Sequence, residues 1–224
     1  SWTIGSKNYD AINYGLFYND KYLEENLRNL VAEAKRLKVK KILIGECGHA
    51  SRSAKGFIET YMGDDALPVV NILELTHELM KKKKITIKSG LIEGKAVYHD
   101  PCNLARSGWV TEQPRELVRA MVDEYVEMTP NRKDNYCCGG GGGSVSLDEI
   151  KEYRMTVGGK RKAQQIAETG AKILVAPCAN CKKQIGELID HFDLDVELTG
   201  LHDLMLKVLE IPKTDDDSDD EGEE

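Results

Sequence analysis

The chain has 224 residues, 41% hydrophobic and 31% charged, proportions of a soluble globular protein with one or two cores. No apolar run approaches the roughly 20 residues that span a bilayer, and no secretory signal is visible at the N-terminus. The net charge of -7 sits in the C-terminal stretch DDDSDDEGEE, without which the body is close to neutral, so nucleic acid is not expected as a partner.

Taken in chain order, helices and strands alternate. The chain opens on Ser1 and Trp2 without a methionine, which suggests a fragment or a processed form. Asp20 to Leu37 has helical periodicity, with Leu23, Leu27, Leu30 and Val31 on one face. Lys41 to Gly45 reads as a short buried strand, and Val69 to Lys82 as an amphipathic segment ending in the solvated lysines 81–84. Ala96 to His99 is a strand before Asp100-Pro101, and Thr111 and Pro114 open a helix running to about Asp123. Ser146 and Glu149 have the spacing of a capping box. It should start a helix to about Thr169, bent at Gly158-Gly159. Ala171 to Ala176 is a second buried strand, Cys181 to His191 is helical, and Leu201 to Leu209 closes the fold. The expected class is α/β, with short, mostly parallel sheets flanked by helices. The acidic tail is read as disordered and self-repelling.

The pattern repeats internally. KILIGECGHA from Lys41 resembles KILVAPCANC from Lys172, which places Cys47 on Cys178 and Ala50 on Cys181. Downstream, His77-Glu78-Leu79-Met80 matches His202-Asp203-Leu204-Met205. Upstream, Asn8-Tyr9-Asp10-Ala11 matches Asn135-Tyr136-Cys137-Cys138. Two related modules are expected, over residues 1–94 and 95–212, followed by the tail 213–224. In the first the C-x-x-C is reduced to Cys47 alone, so that module has lost its metal site and kept its packing role. It also lacks a counterpart of the segment carrying Cys102, which would have to precede Ser1.

There are six cysteines. An even count suggests disulfides in a secreted chain, but no export signal is present and cytosolic thiols stay reduced. Cys102, Cys137-Cys138 and Cys178-x-x-Cys181 follow strands or flank them, so loops at one sheet edge can gather five thiolates. Four thiolates satisfy a tetrahedral zinc or a cubane iron–sulfur cluster, and five are one too many for either. Adjacent side chains of a strand point to opposite faces, so Cys137 and Cys138 need a turn, which Gly139 to Gly143 allow. The glycine run is no phosphate loop, because no Lys follows it and no G-x-G-x-x-G pattern fits. A plain linker is disfavoured by the helix start directly after it.

The stretches HDPCNLAR, NYCCGGGGG and APCANCKKQ closely resemble the cysteine-rich CCG domain of heterodisulfide reductase subunits and their relatives. With WTIGSKNYDAINYG, GECGHASRSAK and PVVNI, nearly the whole chain before the tail is similar to the catalytic iron–sulfur subunit of the sulfite-reduction-associated membrane complex of sulfate reducers (DsrK). The resemblance implies a non-cubane [4Fe-4S] cluster held by Cys102, Cys137, Cys138, Cys178 and Cys181. It implies an oxidoreductase subunit that passes single electrons to a disulfide or trisulfide, the latter on a small sulfur-carrier protein. The implied partners are membrane-bound quinone and haem subunits. The implied location is the cytoplasmic face of the cell membrane, within a complex and with no membrane span of its own. Relatives of that subunit carry an N-terminal ferredoxin-type domain, and no such cysteine run is present here, so that part is expected to be missing or on another chain. An electron relay of the hydroxy-acid oxidase type and a zinc scaffold remain as alternatives.

In that chemistry His99 is the candidate proton donor to cleaved sulfur, since histidine titrates near neutrality. The competing reading is a satisfied strand-end histidine. Cys47 and His49 fall on the matching loop of the first module, and His77, His202 and His191 read as packing or helix-end residues.

Overall fold

The computed structural model describes residues 1–5, 19–88 and 92–210. The repeat motif at residues 8–11 and the acidic tail 213–224 lie outside the described residues. Helix α1 (Asp20–Arg36) starts where the Asn19 side chain accepts from the Lys21 N–H at 2.8 Å. Its apolar stripe Leu23, Leu27 and Val31 packs on Ile42, Ile44, Ala54 and Ile58. Strand β1 (Ile42–Ile44) leads into helix α2 (Gly48–Met62), and β2 (Val69–Asn71) pairs parallel to β1 with Ile44 opposite Asn71. Helix α3 (Ile72–Lys81) follows at once.

The segment expected to be amphipathic from Val69 therefore begins as a strand. Asn71 ends that strand and caps α3 in a capping box with Glu74. The buried Asn71 amide also donates to the Gly45 carbonyl at 2.8 Å and the Ser51 hydroxyl at 2.6 Å. One side chain thus ties β1, α2 and α3 together.

The second sheet is built from β4 (Ile92–Tyr98), β5 (Val122–Val126), β6 (Ile173–Val175) and β7 (Glu197–Thr199), after the short β3 (Thr86–Ile87). The strand order is β5-β4-β6-β7 and every pairing is parallel. Between the strands lie α4 (Cys102–Ala105), α5 (Glu112–Met121), α6 (Lys160–Thr169) and α7 (Ala179–Phe192). Helix α8 (Leu201–Leu206) and β8 (Leu209–Glu210) close the chain, with β8 antiparallel to β3. The helix expected to reach Asp123 stops at Met121, because Val122 already belongs to β5.

From β4 the chain turns to β5 on one side, and from β6 it turns to β7 on the other. The carboxyl ends of β4 and β6 therefore flank the switch point of the sheet, where open parallel sheets build their sites. The order β1-α2-β2-α3 recurs in β6-α7-β7-α8, with both strand pairs parallel.

The helix expected from Ser146 does not form as one piece. The Ser144 hydroxyl donates to the Gly141 and Gly139 carbonyls at 2.8 and 3.1 Å, closing the glycine loop on itself. The chain then leaves in single turns, Ser144–Ser146 and Asp148–Ile150, with no side-chain cap from Ser146. A short α turn and a π turn over Arg154–Gly158 precede α6, so the interruption at Gly158-Gly159 is present. Leu73, Leu201, Leu204 and Met205 pack with Tyr98, Leu104 and Leu117 in one core that joins α3 and α8 to the second sheet.

Candidate metal centre

Cys102 opens α4 at the end of β4, and Cys178 precedes α7 at the end of β6, on either side of the switch point. Cys181 lies in the first turn of α7, and Cys137 and Cys138 come from the loop after β5. Their sulfurs gather closely. Cys102 Sγ is 4.0 Å from Cys137 Sγ, and Cys138 Sγ is 3.5 Å from Cys181 Sγ. Cys137, Cys138, Cys178 and Cys181 pack in one core cluster. All six cysteines are free thiols.

The loops are pinned from outside. The buried Arg115 guanidinium holds the Asp100 carboxylate in two bonds of 2.7 Å and also bonds Glu127, while the Arg132 N–H donates to Asp100 at 2.7 Å. Asp100 is thereby fixed two residues ahead of Cys102. Arg106, just after α4, donates to the carbonyls of Lys133 (3.0 Å) and Asn135, which binds the Cys102 turn to the approach of Cys137. Behind the glycines, the buried Arg154 bonds Gln184 and Glu187 of α7.

The sulfurs share charge unevenly. Interaction with the Cys102 and Cys138 thiols pushes the Cys137 thiol well down, while Cys102 and Cys181 are pushed up by their thiol neighbours and by burial. The Cys178 thiol falls to about 6, because Cys181 donates to it, with the Gly48 N–H of α2 among the further donors. The Gly139 N–H reaches Cys137 Sγ at 3.4 Å. Five clustered thiols cannot all ionise without a compensating positive charge. A metal or cluster supplies that charge and displaces the protons.

His99 is 1% exposed, and neither ring nitrogen has a hydrogen-bond partner among the described residues. One ring nitrogen, Cys138 Sγ and Cys181 Sγ all lie within 4.8 Å of one another. Burial holds the imidazole well below its ordinary pKa, hence neutral. A buried, orphaned imidazole beside thiols fits a bound metal group. Cys102, Cys137, Cys138 and Cys181 also line a small cavity walled by Gly48, His49, Asn103 and Gly141, and His99 is not among its lining residues.

Cys47 precedes α2 and is half-buried, its thiol pushed up by burial. His77 Nε2 meets Glu116 at 3.0 Å and His202 Nε2 meets Thr76 at 3.0 Å, in line with packing roles. Three further groups are not foreshadowed by any motif. These are Arg115, the Gly48 N–H, and Lys162, buried to 1% exposure in α6. In sequence, both cations look like ordinary solvent-facing residues of polar helices.

Fold and donor set together define an α/β protein with five thiols gathered at a sheet switch point. The chain matches the cysteine-rich CCG domain over residues 96–186. It is 30% identical to an Hdr-like menaquinol oxidoreductase iron–sulfur subunit of Archaeoglobus profundus, over 84% of this chain and 40% of that protein. It is 28% identical to a subunit of the dihydromethanophenazine:CoB–CoM heterodisulfide reductase of Methanosarcina acetivorans, over 93% of this chain and 49% of that protein. Lactate utilization protein A of Oceanobacillus iheyensis is 26% identical, over 84% of this chain and 78% of that protein. The chain thus spans less than half the length of the first two relatives.

Proposed function

We propose that the chain is the CCG portion of an iron–sulfur reductase subunit, with Cys102, Cys137, Cys138, Cys178 and Cys181 holding a non-cubane [4Fe-4S] cluster. The observation that carries this reading is the gathering of five sulfurs at the switch point. A structural zinc takes four ligands and leaves one of these thiols unexplained. When bound, the cluster would supply one-electron transfer.

The chain's own groups then have defined tasks. Gly139 and Gly48 point N–H groups at ligand sulfurs, which favours added negative charge and so raises the reduction potential. His99 orients the group from the buried side. Its position outside the cavity favours this over the expected delivery of protons to cleaved sulfur. The cavity beside Gly48 and Gly141 is lined by four of the proposed ligands, which is where a disulfide or a protein-borne trisulfide would meet the bound group. No helix among the described residues is long and apolar enough to cross a membrane. The proposed setting is a cytoplasmic complex at the inner membrane face, with quinone- or haem-bearing subunits as electron partners, as in dissimilatory sulfur metabolism.

A second reading, a pure electron relay, draws on the lactate-utilization relative, whose length the chain covers best. Quantifying iron, acid-labile sulfide and zinc in anaerobically purified protein decides the metal question. The expected result is iron and sulfide in equal amounts without zinc, whereas zinc without sulfide overturns the reading. An oxidised cluster whose EPR signal ignores added thiol and disulfide would select the relay.

A further inference from the structure

Lys162 is a cation where none is expected. It sits in α6, 1% exposed, and has no carboxylate partner among the described residues. Its ammonium donates to the Gln165 side-chain oxygen and to Met128 Sδ at 3.5 Å. The Gln165 amide in turn donates to the Pro130 carbonyl at 2.6 Å, which fixes the oxygen facing Lys162. The one carboxylate that influences the ammonium, Asp100, is already held by Arg115 and the Arg132 N–H. Met128, which accepts from the ammonium at 3.5 Å, packs in one core cluster with Cys138, Cys178 and Cys181, and the thiols favour the charge. A buried charge persists only when something opposite compensates it, and thiolates holding a bound group would supply that charge here.

We infer that Lys162 is the fixed counter-cation of the thiolate centre, a positioning residue that stabilises the reduced, more negative state of the bound cluster. This rests on the iron–sulfur reading above. The physical ground is simple. An electron added to a thiolate-ligated cluster raises its negative charge, and a fixed ammonium in a low-dielectric interior favours that state more than water would. The Lys162 charge also disfavours a proton on His99. The neutral imidazole and the charged lysine are therefore a consistent pair.

The test compares wild-type full-length chain with Lys162→Met and Lys162→Arg, all purified anaerobically. Iron and sulfide content, the cluster's midpoint potential and the melting temperature of the metal-free protein are measured. Lys162→Met is expected to shift the potential negative or, where the cluster is lost, to retain less iron than Lys162→Arg. Its metal-free form is expected to melt at or above the wild-type temperature, because an uncompensated buried charge has been removed. Lys162→Arg should keep both properties near wild type. A fully loaded Lys162→Met protein with an unchanged potential overturns the inference. So does a metal-free Lys162→Met protein that melts lower, which would make the side chain a packing element. Wild-type protein without iron and sulfide would instead overturn the cluster reading itself.

Discussion

At the scale of single residues, the adjacent cysteines are made usable by the two glycines behind them. Gly139 has φ +89°, and a side chain there would meet the Gly158 backbone at 3.1 Å. A Cβ on Gly140 would stand 2.6 Å from Gln184 Cβ and 2.7 Å from Val145 Cγ1. Gln184 is fully buried in α7, the helix that carries Cys181, so it cannot yield without moving a proposed ligand. Gly140→Val is therefore expected to lower iron content several-fold while the far-UV dichroism stays native. Full iron content in that variant would show that the glycines serve something other than the centre. The five cysteines were legible because their spacing is rare and their residue type is chemically committed. Arg115 and Lys162 were not, because a cation on a polar helix looks the same whether it meets water or a buried partner. Only the fold brings Asp100 to the first and the thiols to the second.

At the scale of elements, what could be read was what had a period. Leu23, Leu27 and Val31 announce α1, and the apolar runs before Cys47 and Cys178 announce β1 and β6. Helix α2 went unseen because the buried face of its first two turns is made of Gly48, His49, Ser51, Ser53 and Ala54, and large apolar residues appear only from Phe57 and Ile58 onward. Small side chains bury well but give no hydrophobic signal. The S-x-x-E motif misled in the opposite sense, since the glycine loop consumes the chain's direction before a helix can start. The break at Gly159 has a packing cause: a Cβ there would lie 2.5 Å from Leu188 Cδ2 and 2.9 Å from the Arg154 carbonyl. Two effects compete in Gly159→Ala. Helix propensity favours alanine by up to about 1 kcal/mol, while overpacking a filled core costs about 1–3 kcal/mol. Contact with a backbone oxygen cannot be relieved by a rotamer change, so the cost should win. The variant is expected to unfold at lower urea, and the double variant with Leu188→Ala should lose less than the sum of the two single losses. A Gly159→Ala protein more stable than wild type would mean that α7 moves freely against α6.

At the scale of the whole molecule, the repeat explains why the cysteine-poor half is present. Its β1-α2 unit has the order of β6-α7, and it presents the start of α2 to the sulfurs of the other half. Gly48 hydrogen-bonds Cys178 through its N–H, and a Cβ on it would stand 3.1 Å from Asn103 Cβ, beside Cys102. His49 and Gly141 continue the same wall. The first half thus acts as a cover over a centre whose proposed ligands all lie in the second. The sequence repeat pointed to two related units, but not to which residues would meet across them, because that depends on how two surfaces dock. If α2 is a cover, loosening it should expose the centre without removing a ligand. Gly48→Val forces α2 away from α4 and Cys178. Iron content on purification should stay near wild type, while a chelator added anaerobically should strip the iron several-fold faster. A stripping rate equal to wild type would mean that the sulfurs are shielded by their own loops, and that the first half serves another surface.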